Sequence, residues 1–206
     1  MVRILSLKNE QTTILVYIFE FIINYDIIKE YIERNIKMAT LILRETYLEL
    51  EKEMKAIDKM RSKTAEQIQI AASHGDLKEN YEYKAAKEQM EFVLYKKQLL
   101  SSHAPFRFIE YSEIKSDEVE FGNKVTVIEE GKKEPEDYYL LGPIESELEL
   151  YPLVVTYHAP FAQAMIGKKL NETFTLDIGG EDIKFTITAI EKITADTPKC
   201  EAKSLI

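Results

Sequence analysis

Cysteine is almost missing from this chain of 206 residues: the single one, Cys200, excludes an internal disulfide framework and any cysteine-built zinc site. Histidine is scarce too, and His74, His103 and His158 are scattered, so no protein-only metal cage suggests itself. A surplus of positive charge is also lacking. The net charge is −9, and its distribution says more than its sum. Residues 1–37 carry five basic and five acidic side chains, and residues 44–103 carry eleven of each. Residues 104–206 carry eleven basic and twenty acidic, so the whole excess lies in the second half. That half is a poor phosphate binder, and its expected partner is a protein surface. The middle segment stays open. Sparing use of cysteine fits a reducing compartment, and a cytoplasmic location is expected.

Long apolar runs are lacking as well. The most hydrophobic stretch, TTILVYIFEFIINY (12–25), is shorter than the roughly 20 apolar residues of a membrane span, and Glu20 interrupts it. No membrane association is expected. As a signal peptide it fails for want of a small-residue cleavage site in the NYDIIKEYIERN that follows. Residues 1–37 look foreign to the rest, and Met38 stands just before a new pattern. The expectation is that Met38 is the natural start and that 1–37 come from an upstream start-site assignment. If translated, the β-branched, aromatic run is an aggregation hazard.

What is present is 45% hydrophobic residues, enough for one or two soluble domains. From Arg44 onward, Tyr47, Leu50, Met54, Ile57, Arg61, Thr64, Ile68 and Ala71 recur at alternating steps of three and four, a heptad seam. Neither proline nor glycine interrupts 41–74, which allows one helix of about 30 residues, ~45 Å long. A second periodic stretch sets Tyr83, Ala86, Met90, Val93, Leu94 and Leu100 along one face before Pro105 ends it. Two long amphipathic arms of similar length, joined by a short glycine-containing connection, predict an antiparallel hairpin over 38–104 with its tip at 74–83.

The connection reads HGDLKEN (74–80), and its two carboxylates, Asp76 and Glu79, admit two readings. In the first, Gly75 ends one helix, Asp76 caps the next, and Glu79 reaches back in a capping box. In the second, two carboxylates on the end of a charge-neutral rod are half of a divalent-cation site. Mg²⁺ takes one or two protein carboxylates and completes its shell with water and phosphate oxygens. Such a site would be finished by another macromolecule.

The run HGDLKENYEYKAAKEQ (74–89) resembles the coiled-coil tip of the bacterial GreA/GreB transcript cleavage factors, more closely the GreA branch. A second patch, APFAQAMIGK (159–168), is similar to the S-P-I-A-R-A-L-I-G-K segment of the family's C-terminal domain. The resemblance covers roughly 39–193, leaving the 1–37 extension and the 194–206 tail outside it. It implies a hairpin that enters the secondary channel of backtracked RNA polymerase. There Asp76 and Glu79 help to hold Mg²⁺ jointly with the polymerase for endonucleolytic cleavage of the nascent RNA 3′ end. The factor itself is then no enzyme but completes one, binds no metal alone, and is expected to be a monomer. Asn80 and Tyr83 match supporting tip positions, with buttressing of the tip equally open for Tyr83. Glu82 is a third acidic contributor or a first-turn charge favoured by the helix dipole. Lys84 and Lys87 are candidates for contact with the RNA backbone, or solvated lysines. Three departures stand out: Tyr81 replaces the small residue usual between Asn and Glu, Ala72 stands where a basic residue is common, and Gln163 does likewise in the second patch.

Alternation in 124–130, 137–141, 153–157, 173–178 and 183–190 predicts five strands, with GGED (179–182) as a hairpin turn and FAQAMIG (161–167) as a short helix closed by Gly167. Residues 105–120 read as a connector and 121–193 as the FKBP-like, polymerase-docking domain that the resemblance implies. The fold class is α+β, a long antiparallel coiled-coil hairpin followed by a β-rich domain. Two alternative functions remain beside cleavage: a non-catalytic channel binder using the same hairpin, and an independent prolyl isomerase or chaperone.

Overall fold

The computed structural model describes residues 39–73 and 80–200. Residues 1–38, with the extension, lie outside the described residues, as do 201–206 and the connection 74–79, which carries Asp76 and Glu79. The chain divides into two units, Met1–Ala39 and Thr40–Ile206, and the architecture that follows is that of the second. No helix among the described residues is long and apolar enough to cross a membrane.

Strand β1 (Thr40–Leu43) leads directly into helix α1 (Arg44–Ser73), whose 30 residues make an arm of about 45 Å. Helix α2 (Tyr81–Ser101) returns antiparallel to it and is followed by strand β2 (Phe106–Ile109), within the stretch that reads as a connector. The direction is fixed by contacts at two levels of the pair, Asn80 with Ala71 and Lys97 with Asp58. Along α1 the buried residues Leu50, Ile57, Thr64 and Ala71 fall seven apart, and α2 buries Val93 and Leu100 at the same step. A seven-residue repeat keeps one stripe facing the partner helix.

Three details differ from the sequence pattern. Leu94 is 46% exposed, because it lies a 100° rotation away from its neighbour Val93, which takes the seam position. Arg61 stays exposed while the small Thr64 is fully buried. The arms are unequal, 30 residues against 21, since the first turns of α1 pack on β2 rather than on α2. There Tyr47 meets Phe106 and Phe108 edge-on, with ring centroids 6.0 and 4.8 Å apart.

At the base of the hairpin β1 and β2 pair in parallel, Thr40 opposite Phe106 through Leu43 opposite Ile109. The C-terminal sheet contains β3 (Asn123–Glu129), β4 (Glu136–Leu141), β5 (Val154–Thr156), β6 (Thr173–Ile178) and β7 (Glu181–Lys192), in the order β5-β4-β3-β7-β6. Its pairings are antiparallel except for β4 with β5, which are joined by a crossover through the one-turn helix α3 (Pro143–Glu147). Between β6 and β7 the chain turns at Gly179 and Gly180, whose φ values of +69° and +92° are ones that side chains resist. Helix α4 (Pro160–Met165) covers the sheet with Ala162 and Met165 fully buried, while Phe161 packs edge-on against Phe174 and Phe185.

The hairpin is not an appendage on a flexible hinge. One continuous apolar cluster joins Ile42, Leu43 and Leu50 of its base to Tyr139, Leu141, Ile144 and Tyr151 of the C-terminal domain. The architecture is α+β, helices first and a curled sheet after.

Candidate functional site

The far end of the hairpin is built around Asn80. Its side-chain oxygen accepts a hydrogen bond from the backbone N–H of Tyr83 at 3.0 Å, which makes it the N-cap of α2. Its amide nitrogen donates at 2.7 Å to the carbonyl of Ala71, near the end of α1. A helix leaves its last four carbonyls without intrahelical partners, and two of those of α1 are answered here: Ala71 by Asn80, and Ile70 by the Ser73 hydroxyl at 2.6 Å. One short side chain therefore starts one helix, stops the other and ties them together.

This corrects the capping reading of the two carboxylates. The cap of α2 is Asn80, so neither Asp76 nor Glu79, both outside the described residues, fills that position. The three-residue spacing between them is then no capping box for α2. Asparagine suits the task better than aspartate because it carries a donor as well as an acceptor.

The remaining tip residues divide by exposure. Tyr83 is half-buried against the hairpin, with the ammonium of the exposed Lys87 5.8 Å from its ring centroid. Lys84 and Glu82 are exposed in the first turns of α2. Glu82 sits where the helix dipole favours an acid. It also lines an open groove of about 410 Å³ with Gln67, Ile70, Ala85, Ala86 and Gln89. Tyr81, the first residue of α2, is 84% exposed.

Ala72 is exposed, next to the Ala71 whose carbonyl Asn80 binds. Gln163 donates its side-chain amide to the Tyr157 carbonyl.

Two carboxylates match the donor chemistry of a hard cation but are too few to complete an octahedral shell. Among the described residues no group of three or more His, Cys, Asp or Glu could hold a metal ion. Carboxylate oxygens of this kind suit Mg²⁺, which leaves the rest of its shell to water and phosphate oxygens.

Several residues that hold the arm in place carry no motif. Halfway down the hairpin Lys97 on α2 bonds Asp58 on α1 at 2.6 Å, and this hydrogen bond holds the Asp58 carboxyl below its usual range. At the base Glu45 accepts from Lys199 and from the Tyr111 hydroxyl, both at 2.9 Å, and the Lys199 bond lowers its pKa. Residues 194–200 thus reach back onto α1 through Lys199. Glu145, in α3, is wholly buried, and its two oxygens accept from the N–H groups of Leu43 at 2.9 Å and Gly142 at 3.1 Å. Burial pushes its carboxyl up, against the pull of those two donors. Gly142 is obligatory in this spot, since a Cβ there would lie 2.4 Å from the Leu41 carbonyl oxygen.

Residues 40–102 match the family model described as "Transcription elongation factor, N-terminal", and 114–192 match "Transcription elongation factor, GreA/GreB, C-term". The chain belongs to the GreA/GreB family of transcription elongation factors. It is 36% identical over 149 residues to the transcription elongation factor GreA of Streptococcus sanguinis, covering 69% of this chain and 89% of that one. It is 32% identical over 145 residues to that of Nitratiruptor sp., covering 70% and 88%. Among solved structures, GreA factor homolog 1 of Thermus thermophilus aligns with 74% of this chain and 99% of its own at 16% identity and a TM-score of 0.35. The family defines an accessory to transcription elongation acting on RNA polymerase, and the two matched segments coincide with the hairpin and the sheet domain.

Proposed function

We propose that this chain is a transcript cleavage factor: its hairpin enters the secondary channel of backtracked RNA polymerase, and its tip promotes hydrolysis of the extruded RNA 3′ end. The observation that carries the reading is the Asn80 cap. With α2 started and α1 stopped by that one residue, the acidic pair one and four positions upstream has no capping task on α2 to explain it. A long arm, moreover, is not needed to hold a cap.

Asp76 and Glu79 would hold Mg²⁺ jointly with the polymerase. When bound, the ion supplies Lewis-acid charge stabilisation at the RNA phosphodiester. The chain itself contributes reach, about 45 Å of α1, and position. Asn80 fixes where α2 begins, two residues after Glu79. In this reading Tyr83 with Lys87 buttresses that first turn, and the exposed Lys84 would meet RNA phosphate. The acidic C-terminal domain docks on the rim of the channel, and the apolar cluster it shares with the hairpin base sets the direction of the arm.

RNA cleavage in reconstituted, backtracked elongation complexes with Mg²⁺ tests this, comparing the full chain with Asp76→Asn and Glu79→Gln. The full chain should accelerate cleavage, and both variants should lose the acceleration while still binding polymerase. A full chain that binds without cleaving would replace this reading with that of a non-catalytic channel binder.

A further inference from the structure

Tyr81 is the tip residue that neither the fold nor the cleavage scheme uses. Its ring is 84% exposed and makes no aromatic contact or hydrogen bond with the described residues. Tyr83, two positions on, is half-buried with Lys87 over its ring, and Phe92 further along the helix is covered by Lys96 at 5.0 Å. Local folding gives no reason for a tyrosine here: alanine or glutamate forms helix more readily, and Asn80 already supplies the cap. The position is rigid none the less, because Asn80 is bound both to Tyr83 and to Ala71.

Direction follows from helix geometry. Side chains lean toward the N-terminus of their helix, and the N-terminus of α2 is the free end of the hairpin. The Tyr81 side chain therefore leans past the last turn rather than back along the arm. Two peptide units separate it from Glu79, at most about 7 Å of chain. Lys84, one turn on and exposed, shares its face of the helix.

A rigid, solvated aromatic ring beside a lysine is the pairing that single-stranded nucleic acid uses, a base on the ring and a phosphate on the cation. We infer that the Tyr81 ring stacks on a nucleobase of the extruded RNA 3′ segment and so grips the strand beside the acidic pair. This rests on the cleavage reading only for the presence of backtracked RNA, not for the hydrolysis step.

The test uses the full chain with backtracked complexes whose extruded nucleotides carry 5-iodouridine, irradiated and mapped by mass spectrometry. Tyr81 should carry the crosslink. Tyr81→Ala should lose it and weaken binding to backtracked complexes by about tenfold or more, leaving affinity for complexes without extruded RNA unchanged. Tyr81→Phe should retain tight binding, since stacking needs the ring and not the hydroxyl. Crosslinks confined to other residues, or Tyr81→Ala binding like the parent, overturn the stacking even if the parent cleaves normally. A parent that crosslinks through Tyr81 without cleaving overturns the hydrolytic reading and leaves the stacking standing. A parent that does not bind backtracked polymerase overturns both.

Discussion

Replacing Asn80 by alanine removes two hydrogen bonds at once, and their separate worth can be worked out. Loss of an N-cap costs about 0.5–2 kcal/mol. Loss of the 2.7 Å bond to the Ala71 carbonyl adds roughly 0.5–1.5 kcal/mol. The sum, about 1–3.5 kcal/mol, falls on the end of the hairpin rather than on the whole fold, because helix ends open locally. Global denaturation should therefore move less than native-state hydrogen exchange at the Tyr83 amide, which should quicken by about 5- to 300-fold. Asn80→Asp separates the two bonds. The carboxylate still accepts from the Tyr83 N–H and gains from the helix dipole, but it cannot donate to Ala71. Protection of Tyr83 should survive in this variant, while the last turn of α1 should lose protection in both. An unchanged Tyr83 amide in Asn80→Ala would refute the assignment of Asn80 as the cap, and with it the ground for taking the carboxylates out of the capping role.

Ile57 is fully buried in the seam, so Ile57→Ala should lose about 2–5 kcal/mol in urea denaturation. Leu94→Ala, at a half-exposed position that the sequence pattern also puts on the seam, should change stability by about 0.5 kcal/mol or less. Glu145→Ala should cost about 2–6 kcal/mol, because it strands the buried N–H groups of Leu43 and Gly142. With the Glu145 carboxyl pushed up by burial, its proton binds the folded state more tightly. Stability should then be favoured below the ordinary value of 4.5 and fall as pH rises through the raised one, a slope absent from the alanine variant.

The elements that could be read from sequence are those whose signal is local. A seven-residue repeat without proline or glycine announces α1, and alternation announces β3 to β7, with β6 matching its predicted span of 173–178. What could not be read depends on pairs distant in sequence. Strands β1 and β2 are four residues each and pair in parallel across the whole hairpin, with no turn between them to give a register signal. Asn80 resembles any polar loop residue until Ala71 appears opposite it. The acidic pair three apart looks like a capping box because spacing alone cannot tell which of several polar residues the first helical turn will choose. Glu145 reads as an ordinary first-turn acid, since its partner Leu43 lies 102 positions away.

Those distant contacts share one mechanical consequence. On an arm of about 45 Å, a tilt of about 5° at the root displaces the end by about 4 Å. Chemistry at a phosphodiester is sensitive to misplacements of about 1 Å. An arm that delivers two carboxylates to another enzyme's active site must therefore be stiff at its root more than along its length. The root is where this fold concentrates its costly features: a wholly buried carboxylate bridging α3 and the strand that leads into α1, a glycine with no room for a Cβ, and a tail lysine bonded to Glu45. None of these touches the tip, yet each constrains the angle at which α1 leaves the sheet domain. Loosening the root should for that reason impair delivery of the tip before it impairs binding of the sheet domain.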